Sequence, residues 1–82
     1  MTTVRIPPTL RPETGGAREV PAQGETVGEL LDDLMSRFPS LTGKLEYANV
    51  YVDGEDVRTL DGHETQVRNG ATVILLPAMA GG

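Results

Sequence analysis

The chain has 82 residues, which supports a single domain with one modest hydrophobic core. It has no cysteine and only one histidine, His63, so disulfides, iron–sulfur clusters, a cysteine nucleophile and multi-histidine metal sites are excluded. The net charge of −5 argues against nucleic acid binding, and the longest apolar run is too short to cross a membrane. The N-terminus lacks the layout of a signal peptide, and we therefore expect a cytoplasmic protein.

The first part of the chain has the pattern of a β-hairpin. Val4 and Ile6 alternate with a polar residue, and the three prolines of "IPPTLRP" favour an edge strand or a bend. The sequence "PETGG" is typical of a turn, and "AREVPAQG" returns as a strand with Val20 pointing inward. We predict a hairpin over residues 3–22.

The next segment, "ETVGELLDDLMSRFPS", predicts an amphipathic helix over residues 26–38. Thr26 and Glu29 fit a capping box, in which each side chain accepts a hydrogen bond from a free N–H at the helix start. Pro39 ends the helix. Six apolar residues fall on one face, which we expect to pack on the core: Val27, Leu30, Leu31, Leu34, Met35 and Phe38.

The second half of the chain alternates turns with short strands. Leu41 and Leu45 in the connector "SLTGKLEYA" are expected to reach into the core. "NVYVDGEDV" predicts a strand that closes in a tight Asp53-Gly54 turn, with a short following strand that begins at Val57. A turn-rich segment, "RTLDGHETQVRNG", separates this strand pair from the last strand.

The last predicted strand, "ATVILLP", is apolar on both faces over residues 73–76, as in a strand with neighbours on each side. The element order β-β-α-β-(β)-β predicts an α+β protein in which a mixed sheet packs on one helix, the ubiquitin-like β-grasp. A different small α+β roll is the alternative. We expect residues 1–77 to form the domain and residues 78–82 to form a flexible C-terminal tail.

The charged residues do not suggest a catalytic centre. The adjacent carboxylates Asp32-Asp33 and Glu55-Asp56 should point in different directions, whereas acid–base catalysis needs two carboxylates that face one substrate. We interpret them as solvated surface charge, and His63 as an exposed loop histidine. No glycine-rich loop has the context of a phosphate site. The sequence therefore predicts no catalytic residue and no metal site.

The C-terminal sequence "LLPAMAGG" ends in Gly81 and Gly82. Chain ends often fray, so an inert tail is one interpretation. However, glycine has no Cβ, and a Gly-Gly end is thin enough to enter a narrow enzyme channel. Its terminal carboxylate could then serve as a substrate: adenylation by ATP would make it electrophilic, and sulfur could replace the adenylate to leave a thiocarboxylate. Such a protein needs no catalytic side chain of its own.

The chain resembles the ThiS/MoaD family of sulfur carriers, and within it the carrier type that feeds cysteine synthesis in actinobacteria. The resemblance covers nearly the whole chain and is carried by "IPPTLRPETGG", "GETVGELLDDL", "NVYVDGEDVR" and "ILLPAMAGG". The connector "TGKLEYA" is shorter than expected for the cysteine-type carriers. The resemblance implies a β-grasp fold and a thiocarboxylate on Gly82, with Gly81, Ala80, Met79 and Ala78 giving access to it.

The resemblance also implies partners. A ubiquitin-activating-type adenylyltransferase would use ATP to activate Gly82, and a sulfurtransferase or sulfide would supply the sulfur. No cofactor is expected on the chain itself. The acceptor in the cysteine branch is an aminoacrylate on a pyridoxal-phosphate synthase, and a metalloprotease then frees the cysteine. Related carriers supply sulfur to thiamin (through a thiazole synthase), to molybdopterin and to 2-thiosugars.

An apolar surface for the activating enzyme is expected beside the tail. Its candidate residues are Leu10, Ile74, Leu76, Pro77 and Met79. Three other functions remain open at this point: a ubiquitin-like modifier that is conjugated to lysines through Gly82, the small subunit of molybdopterin synthase, and a structural β-grasp module.

Overall fold

The computed structural model describes residues 2–45 and 48–77. Within them lie one α-helix, α1 (Val27–Arg37), and five strands. The strands are β1 (Thr2–Arg5), β2 (Glu19–Ala22), β3 (Ala48–Val52), β4 (Glu55–Asp56) and β5 (Thr72–Pro77). No helix of these residues is long and apolar enough to cross a membrane.

The strands form one mixed sheet in the order β2-β1-β5-β3-β4. β5 lies at its centre, parallel to β1 and antiparallel to β3, while the two pairs at the edges are antiparallel. α1 packs across one face of this sheet. This arrangement is the ubiquitin-like β-grasp, and it confirms the predicted fold and the central position of the last strand.

Helix α1 begins and ends close to the predicted residues. The hydroxyl of Thr26 accepts the N–H of Glu29 at 3.2 Å, and the helix continues to Arg37. The second half of the predicted capping box is different, because the Glu29 carboxylate accepts the N–H of Glu25 at 3.1 Å instead of that of Thr26. Four stripe residues are buried (Val27, Leu30, Leu31 and Leu34), and Met35 and Phe38 are partly buried against the same core.

The predicted hairpin at the N-terminus is confirmed in its strands, which pair with Val4 opposite Val20. Its connection is a 3-10 helix over Pro8–Thr14, which ends at Gly15 with φ of 68°. Leu10 lies on this helix and is only 8% exposed in the core. The prediction that Leu10 belongs to a docking surface is therefore wrong, because the 3-10 helix turns its side chain inward.

The connector and the turns agree with the sequence in most respects. Leu41 and Leu45 are buried, as predicted. Asp53 and Gly54 have φ of 49° and 88°, the positive values of a tight hairpin turn. The prediction of a strand that begins at Val57 is wrong. The short strand β4 ends at Asp56, and a 3-10 helix (Val57–Thr59) begins at Val57, where the Asp56 carboxylate accepts the N–H of Arg58.

Gly24 cannot be replaced without strain, and Gly24→Ala should destabilise the domain by roughly 1–3 kcal/mol. Its φ is 153°, and a Cβ at this position would lie 2.7 Å from Cβ of Glu29 and 2.9 Å from the backbone N of Leu30. Urea denaturation measures the change. Gly16→Ala is the control, since its φ is 87° but a Cβ there has nothing within 4 Å. Equal losses in the two variants would show that the contact with α1 contributes nothing.

Candidate functional site on the open face of the sheet

β5 has two different faces. Val73 and Leu75 are buried against the helix side of the sheet. Ile74 and Leu76 point to the opposite face, where Ile74 is half-buried and Leu76 is 43% exposed. The central position of β5 in the sheet therefore does not by itself explain why Ile74 and Leu76 are apolar. Within the described residues, no element covers the face of the sheet on which they lie.

The strand register shows what surrounds these two side chains. Ile74 lies between Arg5 of β1 and Tyr51 of β3, and Leu76 lies opposite Asn49 of β3. Tyr51 is half-buried. Ile74, Leu76 and Tyr51 thus share one face of the sheet, and we call these three residues the open-face patch.

Paired charges border the open-face patch. Asp56 lies opposite Tyr51 in the register and accepts three bonds from the Arg58 side chain, one from Nη2 at 2.7 Å and two from Nε at 3.2 Å. Arg58 lowers the pKa of Asp56, first through these side-chain bonds and then through its backbone N–H. Because the pKa of Asp56 is lowered, its pairing with Arg58 stabilises the folded protein above pH 3.8, the ordinary pKa of the group. This contribution is lost as the pH falls below that value and through the lowered pKa. On the other side, Arg5 lies 3.7 Å from the carboxylate of Glu19.

β5 is held by hydrogen bonds at its start and by strand pairing at its end. At its start, Thr72 donates its N–H to the Asp53 carboxylate at 3.0 Å and accepts the N–H of Asp53 at 2.9 Å. At its end, Pro77 pairs with Ala48 of β3. The predicted tail residues follow Pro77 in the sequence and lie outside the described part of the chain: Ala78, Met79, Ala80, Gly81 and Gly82.

The remaining charged candidates lie elsewhere on the surface. Asp33 accepts a bond from Arg37 at 2.9 Å and the N–H of Gln23 at 3.0 Å. His63 is exposed on a short 3-10 helix over Gly62–Glu64. Within residues 2–45 and 48–77, no three His, Asp or Glu residues are grouped so that they could hold a metal ion.

Ile74 and Leu76, which the sequence predicted for docking, lie on the open face beside residues that the sequence did not point to. Tyr51 completes the open-face patch. Asn49 lies at its border opposite Leu76, and Arg5 lies at its border beside Ile74 and carries a positive charge. A signal for Tyr51 was present: the Asp53-Gly54 turn sets the register of the hairpin, and alternation then puts residues 49 and 51 on one face. No local signal in the sequence indicated the register of β1 on β5, which places Arg5 beside Ile74.

Comparisons with known proteins give a consistent result. The sequence profile of the ThiS family matches residues 4–82. The sulfur carrier protein CysO of Mycobacterium tuberculosis is 43% identical over 90 residues, which cover 98% of this chain and 97% of that protein. One chain in the crystal structure of the Amycolatopsis orientalis BexX/CysO complex is 44% identical, with a TM-score of 0.91 and complete coverage (100%) of both chains. The small archaeal modifier protein 1 of Methanosarcina acetivorans is 26% identical, with a TM-score of 0.85, and the match covers 99% of this chain and 95% of that one.

The alignment with the mycobacterial protein is longer than this chain, so that relative carries residues that this chain lacks. The overall architecture is nevertheless shared from end to end. The profile of the ThiS family matches nearly all of the sequence, and a relative aligned over nearly its full length is 43% identical. The chain belongs to the ThiS family.

Proposed function

We propose that this protein is a sulfur carrier whose C-terminal glycine, Gly82, is converted to a thiocarboxylate. The observation that carries this proposal is the family match, which extends as far as Gly82 itself. The CysO proteins that resemble the chain over its full length are named sulfur carriers. The chain acts in this proposal as a co-substrate of partner enzymes and not as an enzyme.

The proposed chemistry has two steps. A carboxylate oxygen of Gly82 attacks the α-phosphorus of ATP, and pyrophosphate leaves to give an acyl-adenylate. A sulfur nucleophile, from sulfide or a sulfurtransferase persulfide, then attacks the acyl carbon, and AMP leaves with the bonding electron pair. A persulfide also needs a thiol reductant to release the sulfur. The ATP belongs to the activating enzyme, and the carrier supplies the carboxylate.

Intact mass spectrometry tests the proposal. The full chain is incubated with an adenylyltransferase of its host, ATP and sulfide, and we expect a mass gain equal to the exchange of one oxygen for sulfur. A reaction without ATP is the control and should leave the mass unchanged. Failure with every adenylating enzyme of the host would contradict the proposed function.

We further propose that the activating enzyme docks on the open-face patch. Two of the three residues of the patch, Ile74 and Leu76, are apolar and lie on β5, the strand that precedes the terminal residues in the sequence. Of the residues predicted for docking, Ile74 and Leu76 belong to it, Pro77 ends the strand, and Met79 follows. The Amycolatopsis CysO was crystallised in a complex with BexX, and this supports binding of such a carrier to a partner protein.

Leu76→Asp should weaken binding to the activating enzyme roughly tenfold or more, because a carboxylate would be desolvated in an apolar interface. Leu60→Asp is a matched control: Leu60 is 42% exposed, against 43% for Leu76, but it lies in the loop after the Val57–Thr59 helix. Calorimetric titration with the adenylyltransferase measures both variants. Equal losses of affinity would argue against docking on the open-face patch.

The acceptor of the sulfur is proposed to be an aminoacrylate on a pyridoxal-phosphate cysteine synthase, because the relatives that are 43% identical to this chain are CysO proteins. Single-turnover assays with the thiocarboxylate form would show cysteine joined to Gly82. Transfer instead to a thiazole or thiosugar synthase, or to molybdopterin, would assign the carrier to another branch.

One observation favours a second function. The similarity to small archaeal modifier protein 1 extends over the whole chain, so conjugation of Gly82 to lysines of target proteins is the alternative. Isopeptide-linked adducts in host extracts supplied with ATP would support it. The same extracts prepared with a chain that lacks Gly82 should give no adducts.

A further inference from the structure

A groove lies on the helix side of the molecule, away from the open-face patch. It runs between α1 and the two segments 42–45 and 62–64, and its volume is about 440 Å³. This volume falls within the range of protein sites that accept side chains or small ligands. Because α1 covers the buried face of the sheet, the groove and the open-face patch lie on opposite sides of the protein.

The floor of the groove is apolar and firmly held. Leu31 of α1 and Leu45 of the connector are buried in the core, and both also line the groove. Met35 lines it one turn further along α1 and is only partly buried. An unbranched thioether adapts its shape to different partners. The groove therefore offers a fixed apolar base with one adaptable side chain.

A glycine determines how close its walls approach. A Cβ on Gly28 would lie 3.2 Å from the backbone oxygen of His63, so a larger residue would push the 62–64 helix away from α1. His63 itself is exposed and lines the same groove. The groove is thus shaped by a close contact between α1 and the turn-rich segment.

The charge of the groove has one sign. Asp32 lines it, and none of the lysines or arginines that the structure describes does. Within the described residues Asp32 has no ion pair or side-chain hydrogen bond, whereas the next carboxylate, Asp33, is bound by Arg37 at 2.9 Å. The chain as a whole carries a charge of −5. An apolar floor beside an uncompensated carboxylate is complementary to an apolar side chain with a cation next to it.

We propose that this groove binds a segment of a partner protein that presents an apolar side chain beside a lysine or arginine. An amphipathic helix meets this description most simply, since residues three or four apart project together. The partner on this side does not compete with an enzyme on the open-face patch, so the carrier can hold two proteins at once. The proposal is independent of the chemistry at Gly82.

The test uses isotope-labelled full-length protein and a short amidated helical peptide with leucines on one face and arginines beside them. We expect saturable amide shifts in two-dimensional NMR at residues 28–35, 42–45 and 62–64. Asp32→Lys should weaken this binding on the order of tenfold. Glu55→Lys makes the same change in net charge, at a residue that does not line the groove, and should change it less than about twofold.

Three outcomes would overturn the proposal: equal effects of the two lysine variants, shifts centred on β5, or the absence of saturation. Equal effects would mean attraction to the net charge alone. Circular dichroism of each variant checks that it remains folded. The oxygen-for-sulfur exchange at the C-terminus is measured on Asp32→Lys in parallel. If this variant loses peptide binding but still exchanges oxygen for sulfur, the groove has a role that is independent of the sulfur-carrier function.

Discussion

Deletion of Gly81 and Gly82 is expected to lower the rate of thiocarboxylate formation about a thousandfold or more relative to the full chain. The deletion leaves a carboxylate, now on Ala80, but this group is two residues closer to the sheet. It is displaced by roughly 7 Å from the position that an extended chain would give it, because each residue spans at most about 3.5 Å. Attack on the α-phosphorus of ATP depends on position to within about 1 Å.

The free energy of unfolding provides the control for this deletion. Every described sheet pairing involves residues up to Pro77, so the shortened chain should unfold at the same urea concentration as the full one. Gly82→Ala keeps the length and adds only a Cβ, and it should retain part of the activity. An unchanged rate of oxygen-for-sulfur exchange in the deletion variant would refute the role assigned to Gly82.

Leu34→Ala should lower the free energy of unfolding by roughly 2–5 kcal/mol, the cost of a buried leucine replaced in a packed core. Leu34 is 0% exposed and lies on the apolar stripe of α1. A domain of this size has a total stability of about 4–12 kcal/mol. The substitution therefore removes a large share of that stability, and the midpoint of thermal unfolding should fall by about 10 °C or more.

Leu60→Ala is the matched substitution at an exposed leucine. Its side chain is 42% exposed, so the change in free energy of unfolding should stay below about 1 kcal/mol. Both variants are compared by urea denaturation with a common slope. A similar loss in the two proteins would mean that α1 does not close the core as described.

Much of this fold could be predicted because its local signals agree with one another. The Thr26 cap, the apolar stripe and Pro39 define one helix without help from the rest of the chain. The Asp53-Gly54 turn fixes the pairing of β3 with β4. The two-sided apolar pattern of β5 correctly indicated a central strand. Each of these signals is local in sequence.

The predictions from sequence were wrong or incomplete where contacts between segments of the folded chain determine the local structure. The prolines in "IPPTLRP" favoured an edge strand or a bend, yet the residues from Pro8 onward form a 3-10 helix that buries Leu10. Glu29 bonds to the N–H of Glu25, which follows Gly24, a residue with φ of 153°. In the candidate site, the neighbours of Ile74 come from β1 and β3, which are distant in sequence. The groove beside α1 likewise depends on segments that only the folded chain brings together.

The parallel pairing of β1 with β5 has a mechanical consequence. A partner that grips the terminal residues and pulls on them applies force along β5, and the ladders to β1 and β3 resist this force together in shear. Hydrogen bonds that are loaded in shear must all break together, whereas a strand at the edge of a sheet can be peeled away one hydrogen bond at a time. A carrier built in this way can be held tightly by its last residues, and released from them, while its sheet stays intact.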